Sequence, residues 1–123
     1  MKFSEEHDDS QFTITGYDDQ SIQINGKRFT QGFILTPDHF TPDWQPQTFI
    51  DLQVQHLEMI YALQPEVILL GTGIKQIFPK KEVYLKLINS GVGFEIMNTQ
   101  AACRTFNILM ADDRNVVAAL FCK

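Results

Sequence analysis

Two stretches of the sequence hold the residue types best suited to chemistry: Gly71-Thr72-Gly73, and the run Asn98-Thr99-Gln100-Ala101-Ala102-Cys103-Arg104. Glycines let a backbone approach an anion closely. A helix start presents unpaired N–H groups at the positive end of the helix dipole. Arg104, a little over one turn into such a helix, carries a guanidinium that can fork a carboxylate or phosphate. Gly71, Thr72, Gly73, Asn98, Thr99 and Arg104 therefore form a candidate site for a small anion or other ligand. Two nucleotide motifs are excluded by counting. A G-x-G-x-x-G pattern started at Gly71 puts Gln76 at the third glycine, and no Gly-Lys-Ser/Thr ending follows. The plainer role for the glycines is a sharp turn. The plainer role for Arg104 is pairing with an internal carboxylate such as Glu66 or Glu95.

The other reactive residues form no recognised set. His7, His39 and His56 are scattered without metal-ligand spacing, and Cys103 and Cys122 form no C-x-x-C. No metal and no cofactor is expected. Asp38-His39 has the residue types of a dyad, yet no Ser or Cys nucleophile sits in a known motif. Cys103 near a helix start would have a lowered pKa if exposed; burial as a reduced structural thiol is the expectation. Lys75, Lys80 and Lys81 are the one visible basic cluster, expected as a solvated face with a lesser role in meeting an acidic partner.

These residues need elements to position them. Val67-Ile68-Leu69-Leu70 runs apolar without a polar break, which calls for a strand covered on both faces. Before it, Phe12–Thr15, Ser21–Ile24 and Arg28–Thr36 read as an antiparallel meander, with Asn25-Gly26 as a type I′ hairpin turn. Three prolines between Thr36 and Pro46 mark a loop that covers an edge or opening. Thr48–Ile50 reads as a short strand and Asp51 as N-cap of a helix over Leu52–Leu63. A second helix starts near Pro79 and runs through Tyr84, Leu85 and Ile88 to Ser90, with Gly91 as its C-cap. Gly93–Met97 is a strand, Asn98 or Thr99 caps a helix over Gln100–Ala111, and Val116–Phe121 is the last strand, of undetermined direction. The order meander, helix, β, helix, β, helix, β predicts an α/β fold with βαβ crossovers. Residues 1–10 read as a flexible acidic tail and 11–123 as a single domain.

The sequence has 123 residues, 44% hydrophobic and 20% charged, with a net charge of −5. That size supports a sizeable core. The acidic balance argues against nucleic-acid binding, which needs a clustered basic surface. It also disfavours a polybasic membrane contact. No apolar run approaches the ~20 residues of a membrane span, so no direct membrane insertion is expected. The N-terminus holds Glu5, Glu6, Asp8 and Asp9 and lacks the basic start and apolar run of a signal peptide. A cytoplasmic location is the expectation.

Taken together, Pro65–Gly73, Gly91–Met97, Asn98-Thr99, Ala101–Asn107 and Val117–Leu120 resemble a small family of unknown function named after a methanogen "Mth" hypothetical protein. The spacing fits from about Phe12 to Leu120. The family includes the mitochondrial respiratory complex I assembly factor 3 and an adipogenesis-associated Mth-domain protein. Asn98 stands where many members carry Asp, which removes a charge from the helix start. The resemblance implies a three-layer α/β domain with a central mixed sheet and three helices. It supplies no catalytic residues. It implies a non-enzymatic binding or assembly module acting through protein partners. The rival expectation is a small-molecule site, enzymatic or not, between Gly71–Gly73 and Asn98–Arg104. A third is a homodimer through an uncovered edge of the meander.

Overall fold

A computed structural model describes residues 11–122. The acidic tail expected over residues 1–10 lies outside that range. The described chain runs β1 (Ile14–Tyr17), β2 (Ile22–Ile24), β3 (Lys27–Phe29), β4 (Phe33–Leu35), β5 (Phe40–Thr41), α1 (Glu58–Ala62), β6 (Val67–Gly71), α2 (Lys81–Asn89), β7 (Gly93–Met97), α3 (Thr99–Ala111) and β8 (Val116–Leu120). Strands β1-β2-β3 form a small antiparallel sheet, and the main sheet has the order β5-β4-β8-β6-β7. The α/β class, the meander, the mixed central sheet and the three helices all follow the expectation.

The unbroken run before Gly71 is a central strand. β6 pairs in parallel with β7 on one side and β8 on the other. Ile68, Leu69 and Leu70 are fully buried, and a fully buried side chain of this size contributes roughly 1.5–3 kcal/mol. Successive side chains point to opposite faces, so the strand feeds two cores. Leu69 joins Phe33, Leu35, Ala118, Leu120 and the α3 residues Ala102 and Phe106. Ile68 and Leu70 join Ile34, Val117 and Phe121, together with Leu57, Ile60, Val83 and Leu87 from the helical side. The sheet is therefore the middle of three layers.

The third meander strand departs from the expectation. Arg28–Thr36 splits into β3, which stays with the meander, and β4, which pairs antiparallel with β8 in the main sheet. The cause is legible afterwards. Phe33, Ile34 and Leu35 are apolar without alternation and all are buried, so they require cover on both faces, which the meander cannot provide. At Gly32 an added Cβ would lie 3.0 Å from the Phe121 ring, so the chain crosses between sheets where a side chain would be tight. β1 also begins two residues late, because the N–H of Thr13 donates to Asn25 Oδ1 at 2.9 Å. The hairpin turn behaves as read, with φ of 51° at Asn25 and 85° at Gly26.

Two further corrections concern residues 48–63. Thr48–Ile50 is no strand; Phe49–Asp51 forms a 3-10 turn, held by the Thr48 hydroxyl donating to Asp51 Oδ2 at 2.9 Å. That bond occupies Asp51, and Leu52 and Gln53 stay extended. The helical run starts at Val54 as a 3-10 turn and becomes α1 only at Glu58. There the N–H of Gln53 donates to His56 Nδ1 at 2.9 Å, so His56 is a capping residue. In the proline-rich loop, β5 pairs with β4, and Trp44 is buried against Phe121 at a ring separation of 5.5 Å.

Gly71 carries a direct test of this packing. An added Cβ would sit 2.9 Å from Leu120 Cδ2 and 3.2 Å from the Thr99 backbone. Gly71→Ala is expected to lower the unfolding free energy by about 1–3 kcal/mol through overpacking, read by urea denaturation at unchanged slope.

Candidate functional site

The three parallel strands end together, and the turn after β6 meets the start of α3 at that end. In open α/β sheets this is the usual place for a ligand. Here much of the polar capacity is used internally, and Thr99 is the centre of it. Its hydroxyl donates to the Phe121 carbonyl at 2.6 Å and accepts from the Gly73 N–H at 2.8 Å. Its own N–H donates to the Gly73 carbonyl at 2.9 Å, and the Thr72 N–H donates to the Met97 carbonyl at 3.0 Å. The two glycines serve different needs: Gly71 admits the neighbouring chain, and Gly73 adopts φ of 106°. Asn98 caps α3 by accepting the Ala101 N–H at 2.8 Å. Thr72 is buried, and its hydroxyl donates to the Lys75 carbonyl.

Beside this junction lies a cleft of about 210 Å³ lined by Gly73, Asn98, Thr99 and Gln100 from one side and by Asp18, Asp19 and Ser21 from the other. The second wall is the β1–β2 connection, which reads locally as a turn only. Its arrival beside α3 is a property of the fold that no local pattern signals. Asp18 Oδ1 accepts from the N–H groups of Gln20 and Ser21, both at 2.8 Å, and from the Ser21 hydroxyl. The Gln20 N–H foremost, then the Ser21 hydroxyl, hold the Asp18 carboxyl below the usual range. Asp19 Oδ1 accepts from Gln100 Nε2 at 3.0 Å. The cleft thus has a polar floor and a wall with two carboxylates.

Of the six candidate residues, Gly73, Asn98 and Thr99 line the cleft, while Gly71 and Thr72 support it from within. Arg104 stands apart on the exposed side of α3, where Nη1 donates to the Tyr17 hydroxyl at 3.2 Å. It pairs with neither expected acid. Glu66 instead accepts the Asn115 N–H at 2.6 Å and lies 3.9 Å from Arg114 Nε. Cys103 is fully buried, and burial foremost, with Cys122 nearby, pushes its thiol up to about 12. Asp38 and His39 do meet, at 3.0 Å, with both side chains largely exposed. The His39 bond foremost lowers the Asp38 carboxyl. Among the described residues no group of His, Cys, Asp and Glu could hold a metal ion. No helix there is long and apolar enough to cross a membrane.

The surface holds a feature the sequence reading missed. Ile74, Ile77, Phe78, Tyr84, Leu85 and Ile88 are all exposed, although they are large and apolar. The available signal was the density of such residues between Gly73 and Asn89, which exceeds what α2 needs to bury through Val83 and Leu87.

Residues 14–121 match the model of a family described as protein of unknown function (DUF498/DUF598). The chain belongs to this family. Its fold is that of the Mth-like domain: a Bordetella pertussis protein described as a Mth938-like domain superposes with a TM-score of 0.75 at 34% identity, over 89% of this chain and 85% of that one. Complex I assembly factor 3 of Danio rerio is 32% identical over 109 residues, which is 87% of this chain and 62% of that protein. A 13 kDa major membrane protein of Francisella tularensis is 38% identical over 65 residues, 53% of each chain. The chain thus spans only about half to three fifths of these two curated relatives.

Two outcomes are expected at the junction. Thr99→Val leaves the Gly73 N–H without its acceptor and should cost about 1–3 kcal/mol, whereas Thr99→Ser should keep most of the stability in the same thermal melt. Native protein at pH 8 should react with a thiol reagent at Cys103 only on the timescale of unfolding. Between the ordinary value of 9.0 and about 12 the folded chain keeps a proton that the unfolded chain has released, so this thiol's contribution to stability falls as pH rises through that window.

Proposed function

We propose that this chain is a non-enzymatic module of the assembly-factor type, which holds a segment of a client protein during the building of a larger complex. The observation that carries the reading is the outer edge of β7. The main sheet ends on one side in the two-residue β5 and on the other in the five-residue β7, whose only strand partner among the described residues is β6. An edge of that length offers a row of backbone groups to an incoming strand. Beside it, Tyr84 stacks edge-to-face with Phe94 at 6.0 Å, and Ile88 lies one helical turn further along α2, half exposed. Backbone pairing supplies affinity for an extended segment, and the apolar side chains select alternate apolar residues on it.

The assembly-factor name of the Danio rerio relative supports the same reading. The cleft beside Thr99 lends less support to a small-anion or catalytic role, since Asp18 and Asp19 would repel an anion and Arg104 does not line it. A photo-crosslinking side chain placed at Ile88, with a second at Asp112 as a remote reference, tests the proposal in native extract. Adducts with a defined complex subunit at position 88 alone, lost with a neighbouring Tyr84→Asp change, are expected. Equal labelling at both positions would sink the reading.

A further inference from the structure

Between β6 and α2 the chain makes an excursion that α2 and the sheet do not require. Thr72 ties it down from inside: its buried hydroxyl donates to the Lys75 carbonyl and accepts the Ile77 N–H at 3.3 Å. With the backbone drawn inward at these two points, the apolar side chains stand outward. Ile74 is 64% exposed, Ile77 38% and Phe78 74%. Phe78 touches one ring, that of Tyr84, at 6.0 Å. A side chain seated in a groove would be covered on several sides; Phe78 stands clear of the surface. This loop is therefore a convex apolar knob on a fixed base.

Within the loop the charges are of one sign; Glu82 follows Lys81 directly, and Asp18 and Asp19 share with Ile74 the cleft beside Thr99. Lys75, Lys80 and Lys81 flank the three apolar residues, and no acid lies between Thr72 and Lys81, in a sequence whose net charge is −5. All three lysines are exposed. A convex apolar tip collared by lysines suits a fluid anionic interface better than a folded protein groove. Lipid closes around a protruding ring, and long lysine side chains keep their charge at headgroup level while their stems lie along the apolar boundary. Anionic lipid attracts such lysines, and the attraction reaches only about a Debye length, so acids farther off than that do not cancel it.

We propose that the Ile74–Lys81 loop seats the protein on the surface of an anionic phospholipid bilayer, with Ile74, Ile77 and Phe78 entering the headgroup boundary and Lys75, Lys80 and Lys81 meeting the lipid charge. This contact is peripheral and spans nothing. It meets the β7 surface at Tyr84, whose ring touches both Phe78 and Phe94; vesicle binding and a crosslinked protein adduct are separate readouts, so each proposal can fail alone.

The test is cosedimentation of the full chain with vesicles of pure phosphatidylcholine and of phosphatidylcholine with phosphatidylglycerol, at low and high salt. Binding to the phosphatidylglycerol vesicles, weakened by salt, is expected. Lys80→Gln with Lys81→Gln should lower the partition coefficient about 25-fold, at about fivefold per lysine. Phe78→Ser should lower it roughly tenfold or more. Ile108→Ser, at an equally exposed position on α3, should change nothing. Circular dichroism confirms that each variant is folded. Equal binding to both vesicle types, or unchanged binding by the Phe78 and lysine variants, would overturn the proposal. So would lipid-free capture of a protein client that Phe78→Ser abolishes, since the knob would then be a protein contact.

Discussion

One hydroxyl group ties the working end of this fold together. Thr99 Oγ1 bridges the turn after β6 and the end of β8 while its backbone begins α3. Three elements distant in sequence meet there, with the Thr99 hydroxyl bonded on both sides. Gly71 depends on the same arrangement, because the chain can pass close to Thr99 and Leu120 only without a side chain. The bond from Thr72 to Lys75 then directs the following loop outward. What lies beyond the sheet is shaped by how tightly its end is sealed.

That seal bears on how the molecule works. A phosphate-binding turn needs backbone donors left over for the ligand. In this turn the N–H groups of Thr72 and Gly73 both have acceptors within the protein. Outside this paired junction lie the open edge of β7 and the exposed apolar side chains of the following loop.

Local rules carried the sequence reading where the cause was local. The apolar run into Gly71, the positive φ at Asn25-Gly26 and the Asn98 cap each depend on a few neighbouring residues. The readings that failed depend on distant partners or on competing bonds. Arg104 finds Tyr17, 87 positions away. Asp51 is taken by Thr48. Phe33-Ile34-Leu35 obeys the same two-sided rule as β6, but its membership in the main sheet depends on β8. For the candidate site, Asn98, Thr99 and Gly73 were legible as a cluster, while the facing wall of Asp18 and Asp19 was not, because only the tertiary fold carries the β1–β2 connection to α3.

The place of β8 in the main sheet has a consequence for how the chain reaches this state. β8 follows every other described strand in sequence, yet it lies between β4 and β6 and is the strand that joins them. Until it is in place, the antiparallel half built on β4 and the parallel half built on β6 have no shared ladder. Closing them requires pairing Phe33 with Leu120, across most of the chain, and such distant pairings lose loop entropy before they return any contact. The βαβ half is built from pairings nearer in sequence; the sheet as a whole is joined by a single strand.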